Sequence, residues 1–310
     1  MGSPGLVRRT NLVVSLESFR GLDDVWRFGA DAVTLDLREA PPDVLARGGR
    51  KWVRVSIRFA AFGGAEVFAA VDLDRLDLQL ETAVWPGLSG LVLSRIESSD
   101  DMARVDRGLG ELEGRRGLAA GSLEVIPVIE TAMGVWGVRE IIQASPRVSQ
   151  VALDEGALAL DLELEPVEEY DPFVYARGRV VIEATAAGIQ PVGLPHPLGT
   201  LFPEVSREKA LEEGTRAKDL GLKGALLSNA RWVEPLNEAF SPTLEQVEYY
   251  TEVRRLFAEG VSRGTAAVPL GERMIDVPVD EWAKAVLERA ARCQERDCEK
   301  AEALERGRGA

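Results

Sequence analysis

Apolar and polar positions alternate in blocks along this chain. Eight short β-rich apolar runs stand out: Leu12 to Leu16, Ala32 to Leu37, Trp52 to Ile57, Gly90 to Ile96, Leu123 to Glu130, Gln150 to Asp154, Gln190 to Pro195 and Gly224 to Asn229. Amphipathic stretches with helical spacing lie between them. Strands covered on both faces read as near-continuous apolar runs, and strands that alternate with helices build βαβ units. Eight such units predict an α/β fold, a closed (β/α)8 barrel of parallel strands. Helices are expected over Ser98 to Glu113, Phe173 to Ala187 and Arg207 to Leu220, with Gly29, Gly188 and Gly221 placed as glycines that end helices. After the eighth run, Thr243 to Gly264 reads as a long helix, Thr265 to Val279 as irregular, and Asp280 to Arg306 as a further helix ending in charge. This tail is too long for one barrel helix. The chain therefore divides into a barrel domain, residues 1–264, and a C-terminal helical extension, residues 265–310, expected either to cover the barrel mouth or to pack on a neighbouring subunit.

Composition narrows the function. The 310 residues are 45% hydrophobic and 28% charged, an ordinary globular composition. A net charge of -14 argues against general binding to nucleic acid or anionic membranes, which requires clustered Lys and Arg. No apolar run approaches the roughly 18 residues of a membrane span, and the first nine residues carry no apolar signal core, so a cytoplasmic protein is expected. Cys293 and Cys298 fall on different faces of a charged helix and are expected as free thiols.

The most informative stretch is Val125 to Gly137, which delivers one carboxylate, Glu130, from the end of an apolar strand. In a (β/α)8 barrel the C-terminal strand ends carry the chemistry. The competing role for Glu130 is to cap or ion-pair with the helix that follows. Reading the other strand ends gives Ser15, Asp36 with Arg38 and Glu39, Arg54 with Ser56, Ser94 with Arg95, Asp154 with Glu155, His196 and Asn229. This set is rich in arginine and carboxylate and poor in nucleophiles, which suits an oxyacid bound with a hard divalent cation. Magnesium takes one or two carboxylates and fills its octahedron with water and substrate, so Glu130 and Asp154 form the expected metal pair. His196 is the only histidine, which excludes a histidine-based metal site; a ligand or acid-base role competes with loop packing. No phosphate-binding glycine loop, dinucleotide fingerprint or nucleophile elbow is present. Arg8 and Arg9 are placed either to contact a phosphate or merely to be solvated.

With these residues in view the chain resembles the citrate lyase beta-subunit-like branch of the HpcH/HpaI aldolase superfamily, which includes malyl-CoA and citramalyl-CoA lyases. The resemblance spans nearly the whole chain. It is carried by residues 28–36, Val53-Arg54-Val55, Arg95-Ile96-Glu97-Ser98, Ile129-Glu130-Thr131-Ala132-Met133-Gly134, Ser145-Pro146-Arg147-Val148, Tyr175-Ala176-Arg177, residues 237–242 and Met274-Ile275-Asp276-Val277-Pro278. It implies a TIM barrel, usually trimeric, whose C-terminal segment reaches a neighbour's active site. It further implies that Glu130 binds magnesium, that Arg54 grips the substrate, and that Asp276 is an acid-base residue carried on the exchanged segment. Departures accompany it. Ala157 stands where the second metal-binding aspartate belongs. Arg38, Glu39, Arg95, Gly193 and Asn229 replace the family's residues, and Ser15-Leu16 replaces a Pro-Gly turn associated with CoA.

The expectation is therefore a divergent, magnesium-dependent carbon-carbon lyase or aldolase of a small 2-hydroxy or 2-oxo acid, as the free acid or its CoA thioester. It is assigned Arg54, Asp276 and Glu130 as catalytic residues, Arg54, Arg95, Glu39 and Arg38 as substrate-binding residues, and a homotrimer or hexamer as its assembly. Two alternatives stand beside it. One is a non-catalytic barrel serving as a binding or regulatory subunit. The other is a metal-free oxyanion site in which Arg38, Arg54 and Arg95 replace the cation.

Overall fold

A computed structural model describes residues 7–16, 22–41, 45, 49–164, 170–195, 206–271 and 273–308. Eight parallel strands run as β1 (Thr10–Ser15), β2 (Ala32–Asp36), β3 (Glu66–Asp72), β4 (Gly90–Ser94), β5 (Glu124–Ile129), β6 (Gln150–Leu153), β7 (Gln190–Val192) and β8 (Ala225–Leu227). They pair in the order β7-β6-β5-β4-β3-β2-β1-β8. The Lys223 N–H donates to Pro191 O and the Gly193 N–H to Gly224 O, each at 2.9 Å, which closes the ring between β7 and β8. The expected (β/α)8 TIM barrel is the observed fold.

The third strand is not where the apolar runs placed it. Trp52 to Ile57 lies in a helix, α1 (Arg50–Ala61), whose buried residues are Val53, Ser56, Ile57 and Ala60. That spacing is one face of a 3.6-residue period. The alternation of Val53, Val55 and Ile57 imitates a strand, but Trp52 and Phe59 point outward and are exposed. The strand is instead Glu66–Asp72, a run carrying two central alanines, Ala69 and Ala70. The remaining helices on the barrel are α2 (Leu76–Ala83), α3 (Ser99–Arg116), α4 (Ala132–Trp136), α5 (Val138–Gln143), α6 (Glu155–Asp161), α7 (Val174–Ala187), α8 (Arg207–Asp219) and α9 (Val233–Ala239). Helix α3 opens on a reciprocal capping box between Ser98 and Asp101 and ends at Gly117 in the left-handed conformation; Gly188 ends α7 the same way.

Two apolar layers result. The larger lies between sheet and helices. The smaller fills the barrel itself and consists of Ala32, Phe68, Ala70, Val92, Ile126, Val128, Ala152 and Val192. Below it, at the N-terminal end, Arg8 plugs the floor. Its guanidinium lies 4.6 Å from the Phe68 ring centroid and bonds Glu66, Glu124 and Gln150. Arg9 meets Asp31 in a buried bidentate pair. Both arginines are thus internal, contrary to either sequence expectation.

Helix α10 (Leu244–Ser262) leads into the C-terminal extension, which runs through a two-stranded hairpin, β9 (Val268–Leu270) with β10 (Arg273–Ile275), and ends in the 32-residue α11 (Val277–Arg308). The hairpin supplies order where an irregular stretch is expected. The second half of α11 returns to its own barrel, but at the end opposite the mouth. Lys300 donates to Asp31 Oδ1 at 2.7 Å and to Gly29 O at 2.9 Å, and Arg9 reaches Asp297 at 2.5 Å. This part of the tail seals the floor and does not cover the mouth. No helix among the described residues is long and apolar enough to cross a membrane.

Candidate active site at the barrel mouth

Strand register brings the acids together. Ile129 of β5 pairs with Leu153 of β6, so Glu130 and Asp154, the next residue of each strand, leave the barrel side by side. The Asp154 N–H donates to Ile129 O at 2.9 Å and continues the ladder. Each acid is held by backbone. Glu130 Oε2 accepts from the Arg95 N–H at 2.9 Å, an N–H aimed there because Arg95 adopts φ 58°, a left-handed conformation unusual outside glycine. Asp154 Oδ1 accepts from the N–H groups of Gly156 and Ala157 at 3.0 Å and N-caps α6, which leaves Oδ2 outside that cap. Ala157, where the resemblance leads one to expect an acid, thus supports Asp154 through its backbone.

Burial pushes the Glu130 carboxyl above its ordinary range. The Arg95 N–H opposes the shift, the charge of Asp154 reinforces it, and the Ser94 hydroxyl and Arg38 relieve it in part. Glu130 does not cap the helix after it; the Thr131 side chain does, accepting from the Gly134 N–H at 3.0 Å.

The charge of Arg38 acts on this pair. Its Nε and Nη2 donate to the two oxygens of Asp36 at 2.9 and 2.7 Å, and Nη1 donates to Ser94 Oγ at 2.8 Å. The bond to Asp36 raises its pKa against the opposing effect of burial, and the charges of Asp36, Glu130 and Asp154 add to the rise. Glu39 follows in the same turn and is exposed. Arg95 projects its side chain to the rim, two-thirds exposed, and pairs with the equally exposed Asp74 at 2.9 Å.

Other expected residues fall elsewhere. Arg54 is not at the mouth. It lies on α1 in the outer layer, its guanidinium 4.9 Å from the Trp85 ring centroid, and Arg116 lies 4.0 Å from the same ring. The Val-Arg-Val motif matched a helix, so its arginine follows that helix outward. Ser56 is buried on the same helix. Glu155 forms a buried pair with Arg177 at 2.7 Å, and Asp161 accepts from the Ala132 N–H. Asn229 caps the short turn after β8 by accepting from the Arg231 N–H. A Cβ at Gly193 would lie 3.1 Å from Leu153 O, so the missing aspartate leaves backbone close against backbone. Asp276 sits at the start of α11, exposed, accepting from the Val279 N–H at 3.2 Å. His196 lies outside the described residues.

Among the described residues no group of three His, Cys, Asp or Glu is arranged to hold a metal. At the mouth Glu130 and Asp154 are the pair held by backbone N–H groups, while the strand-end acids Asp36 and Asp72 are engaged by Arg38 and Arg75. The Glu130 and Asp154 donor set fits a magnesium ion, which uses one or two protein carboxylates and leaves its other positions to water and substrate. It does not fit an all-protein cage. The signal that sequence reading lacked is the Asp36–Arg38–Ser94 chain, because Asp36 and Ser94 become neighbours of one guanidinium only once β3 is placed between their strands.

The model of the HpcH/HpaI aldolase/citrate lyase family matches residues 9–230. The citrate lyase subunit beta of Haemophilus influenzae is 28% identical over 290 residues, 92% of this chain and 97% of that protein. A crystal structure of a citrate lyase from Burkholderia xenovorans superposes with a TM-score of 0.75 at 17% identity, covering 93% of this chain and 92% of that one. The Mycobacterium tuberculosis protein CitE, solved with magnesium, acetoacetate and coenzyme A, gives a TM-score of 0.62 at 20% identity over 92% of this chain and 98% of that one. The structural likenesses carry the barrel and the family match carries the kinship. The chain belongs to the HpcH/HpaI aldolase/citrate lyase family.

Proposed function

We propose that this protein is a divergent carbon-carbon lyase or aldolase of a small 2-hydroxy or 2-oxo acid, working with magnesium. One observation carries the reading. Glu130 and Asp154 stand side by side at the mouth, and the carboxyl of Glu130 is pushed up by burial and by its neighbour's charge. An acid pair held this close by fixed backbone N–H groups is poised to accept a cation. Glu130 and Asp154 would hold the metal, whose chemistry when bound is to stabilise the negative charge of an enolate, an effect that can amount to several kcal/mol. Arg38 and Arg95 supply the remaining positive charge toward the acid's carboxylate and developing oxyanion.

Asp276 serves this site from a neighbouring copy. It stands at the base of the extension among exposed apolar side chains, Met274, Val277 and Trp282 at 59, 51 and 62% exposure, which suit burial against another subunit. A homotrimer or hexamer built this way delivers an acid-base group to a mouth whose described residues are given to metal and substrate. The substrate is the free acid or its CoA thioester. Coenzyme A in the Mycobacterium tuberculosis relative supports the thioester, and Ser15-Leu16 at the end of β1 weighs against it.

The test is turnover of malyl- and citramalyl-type thioesters, and of the corresponding free acids, with magnesium and purified protein. Saturable cleavage that is lost in Glu130→Gln and Asp276→Asn is the expected result. The non-catalytic alternative is favoured by Ala157, whose methyl offers no ligand. It predicts no turnover of any of these compounds together with retained assembly.

A further inference from the structure

With Arg54 on the outer layer, the fixed guanidiniums beside the strand ends are Arg38 and Arg75; Arg75 turns to Asp72 and Ala40 O, and Arg38 is the one whose charge acts on Glu130 and Asp154. Arg38 follows β2 by two residues and Ser94 ends β4. The strand between them is β3, so the 2.8 Å hydrogen bond from Arg38 to Ser94 carries the guanidinium across the end of β3. The β3 residue level with Asp36 is Ala70, which faces the barrel interior and contributes only a methyl group. The β3 residue level with Ser94 is Asp72, which turns to Arg75.

A guanidinium has five planar N–H donors. Arg38 commits three: Nε and one N–H of Nη2 to Asp36, and one N–H of Nη1 to Ser94. Among the described residues one N–H on each Nη has no partner, which suits the two oxygens of a single carboxylate. Because Asp36 and Ser94 already fix the side chain, little conformational freedom remains to be lost on binding. Arg95 differs on each count. It is two-thirds exposed and its partner Asp74 is 72% exposed, so it contributes a mobile rim charge.

We infer that Arg38 is the carboxylate anchor of this site: a guanidinium reaching from the turn after β2 across β3 to grip one carboxylate of a small oxyacid, whose other oxygens face Glu130 and Asp154. The inference rests on reading the mouth as an oxyacid site and adds which residue selects the ligand and from which strand. A ligand must then present one free carboxylate beside its metal-facing oxygens, and an ester or amide at that carboxyl is rejected.

The test is calorimetric titration of oxaloacetate and pyruvate, with manganese present, into the wild type, Arg38→Ala, Arg38→Lys and the relocation variant Arg38→Ala/Ala70→Arg. Circular dichroism checks that each variant is folded, and manganese alone is titrated into each. Expected are manganese affinities within about threefold of each other, since Arg38 is no ligand, and a loss of about 30-fold or more in oxyacid affinity for Arg38→Ala, from the loss of two charge-assisted hydrogen bonds. Arg38→Lys, which keeps the charge but not the fork, is expected to recover only part of that loss. Recovery of about tenfold in the relocation variant completes the case. Oxyacid affinity within about threefold of wild type in Arg38→Ala overturns the inference. Full recovery by Lys overturns the fork, and a folded relocation variant without recovery overturns the placement over β3. If wild type binds no manganese, the metal reading fails separately, and metal-free oxyacid binding decides Arg38: loss in Arg38→Ala upholds it, and no binding to wild type overturns it.

Discussion

At the N-terminal end of the barrel charge meets charge: Arg9 with Asp31, Asp31 with Lys300, Arg8 with Glu66 and Glu124, Asp297 with Arg9. At the C-terminal end two carboxylates, Glu130 and Asp154, stand side by side on adjacent strands, held by backbone N–H groups, with a half-buried arginine close by. The same residue types serve opposite ends. Matched and buried, they tie the last helix to the floor. Left partly unmatched, they store an unfavourable repulsion that a cation or an anionic ligand with its cation relieves. Burial would raise the pKa of Asp31, but the hydrogen bonds and charges of Arg9 and Lys300 outweigh it and hold the group at about 2. Glu130, half-buried and beside another acid, goes the other way.

Breaking the floor should have the largest effect. Asp31→Asn strands Arg9 and Lys300 beside a neutral group, and loss of one partner from such a buried cluster costs about 3 to 5 kcal/mol. Urea denaturation should show that loss, while metal affinity at the mouth stays near wild type. A loss under about 1 kcal/mol would mean the floor is no more than a surface ion pair. Breaking the mouth should do the reverse. Glu130→Gln or Asp154→Asn should lower magnesium affinity by more than the roughly 100-fold associated with removing an outer-shell partner. Stability of the metal-free protein should hold or rise, because a repulsion has been removed.

Acidity separates the two ends by sign. Asp31 has its pKa depressed, so its contribution to stability is present above the ordinary aspartate value of 3.8 and is lost as pH falls toward about 2. Glu130 has its pKa raised. Its contribution is present below the ordinary glutamate value of 4.5 and is lost as pH rises through the raised value. Metal binding needs the deprotonated form, so magnesium affinity should weaken on mild acidification before an ordinary glutamate would protonate. Stability curves and metal titrations of wild type beside Glu130→Gln should show both trends only in wild type. The smallest effect belongs to Arg54→Ala. Its loss removes a cation-π contact of about 0.5 to 1 kcal/mol and should leave ligand binding untouched. A large fall in oxyacid affinity in this variant would restore Arg54 to the site.

Much of this architecture is legible in the residues alone. Strand ends carrying a lone acid, as at Glu130 and Asp154, announce themselves because buried parallel strands tolerate few charges. The failure at Trp52 to Ile57 has a plain cause: β-branched residues at alternate positions look like a strand when only Val53, Val55 and Ile57 are counted, and like a helix once Ser56 and Ala60 join the buried set. The true third strand is hidden by its alanines: Ala69 packs in the layer between sheet and helices, and Ala70 faces the interior two residues after Phe68. The floor is invisible to local reading, since Arg8 finds Glu66 and Gln150 at 58 and 142 residues' distance along the chain. For the same reason α11 could be read as a lid, although the partners of its second half lie under the barrel.

The function proposed for the mouth turns on a cation held by Glu130 and Asp154. Calorimetric titration of magnesium or manganese into the metal-stripped protein, with and without oxaloacetate, tests it directly, with Glu130→Gln as control. Saturable binding, tightened by the oxyacid and lost in the variant, is the expected result. No binding up to millimolar metal, or equal binding by wild type and Glu130→Gln, would contradict it.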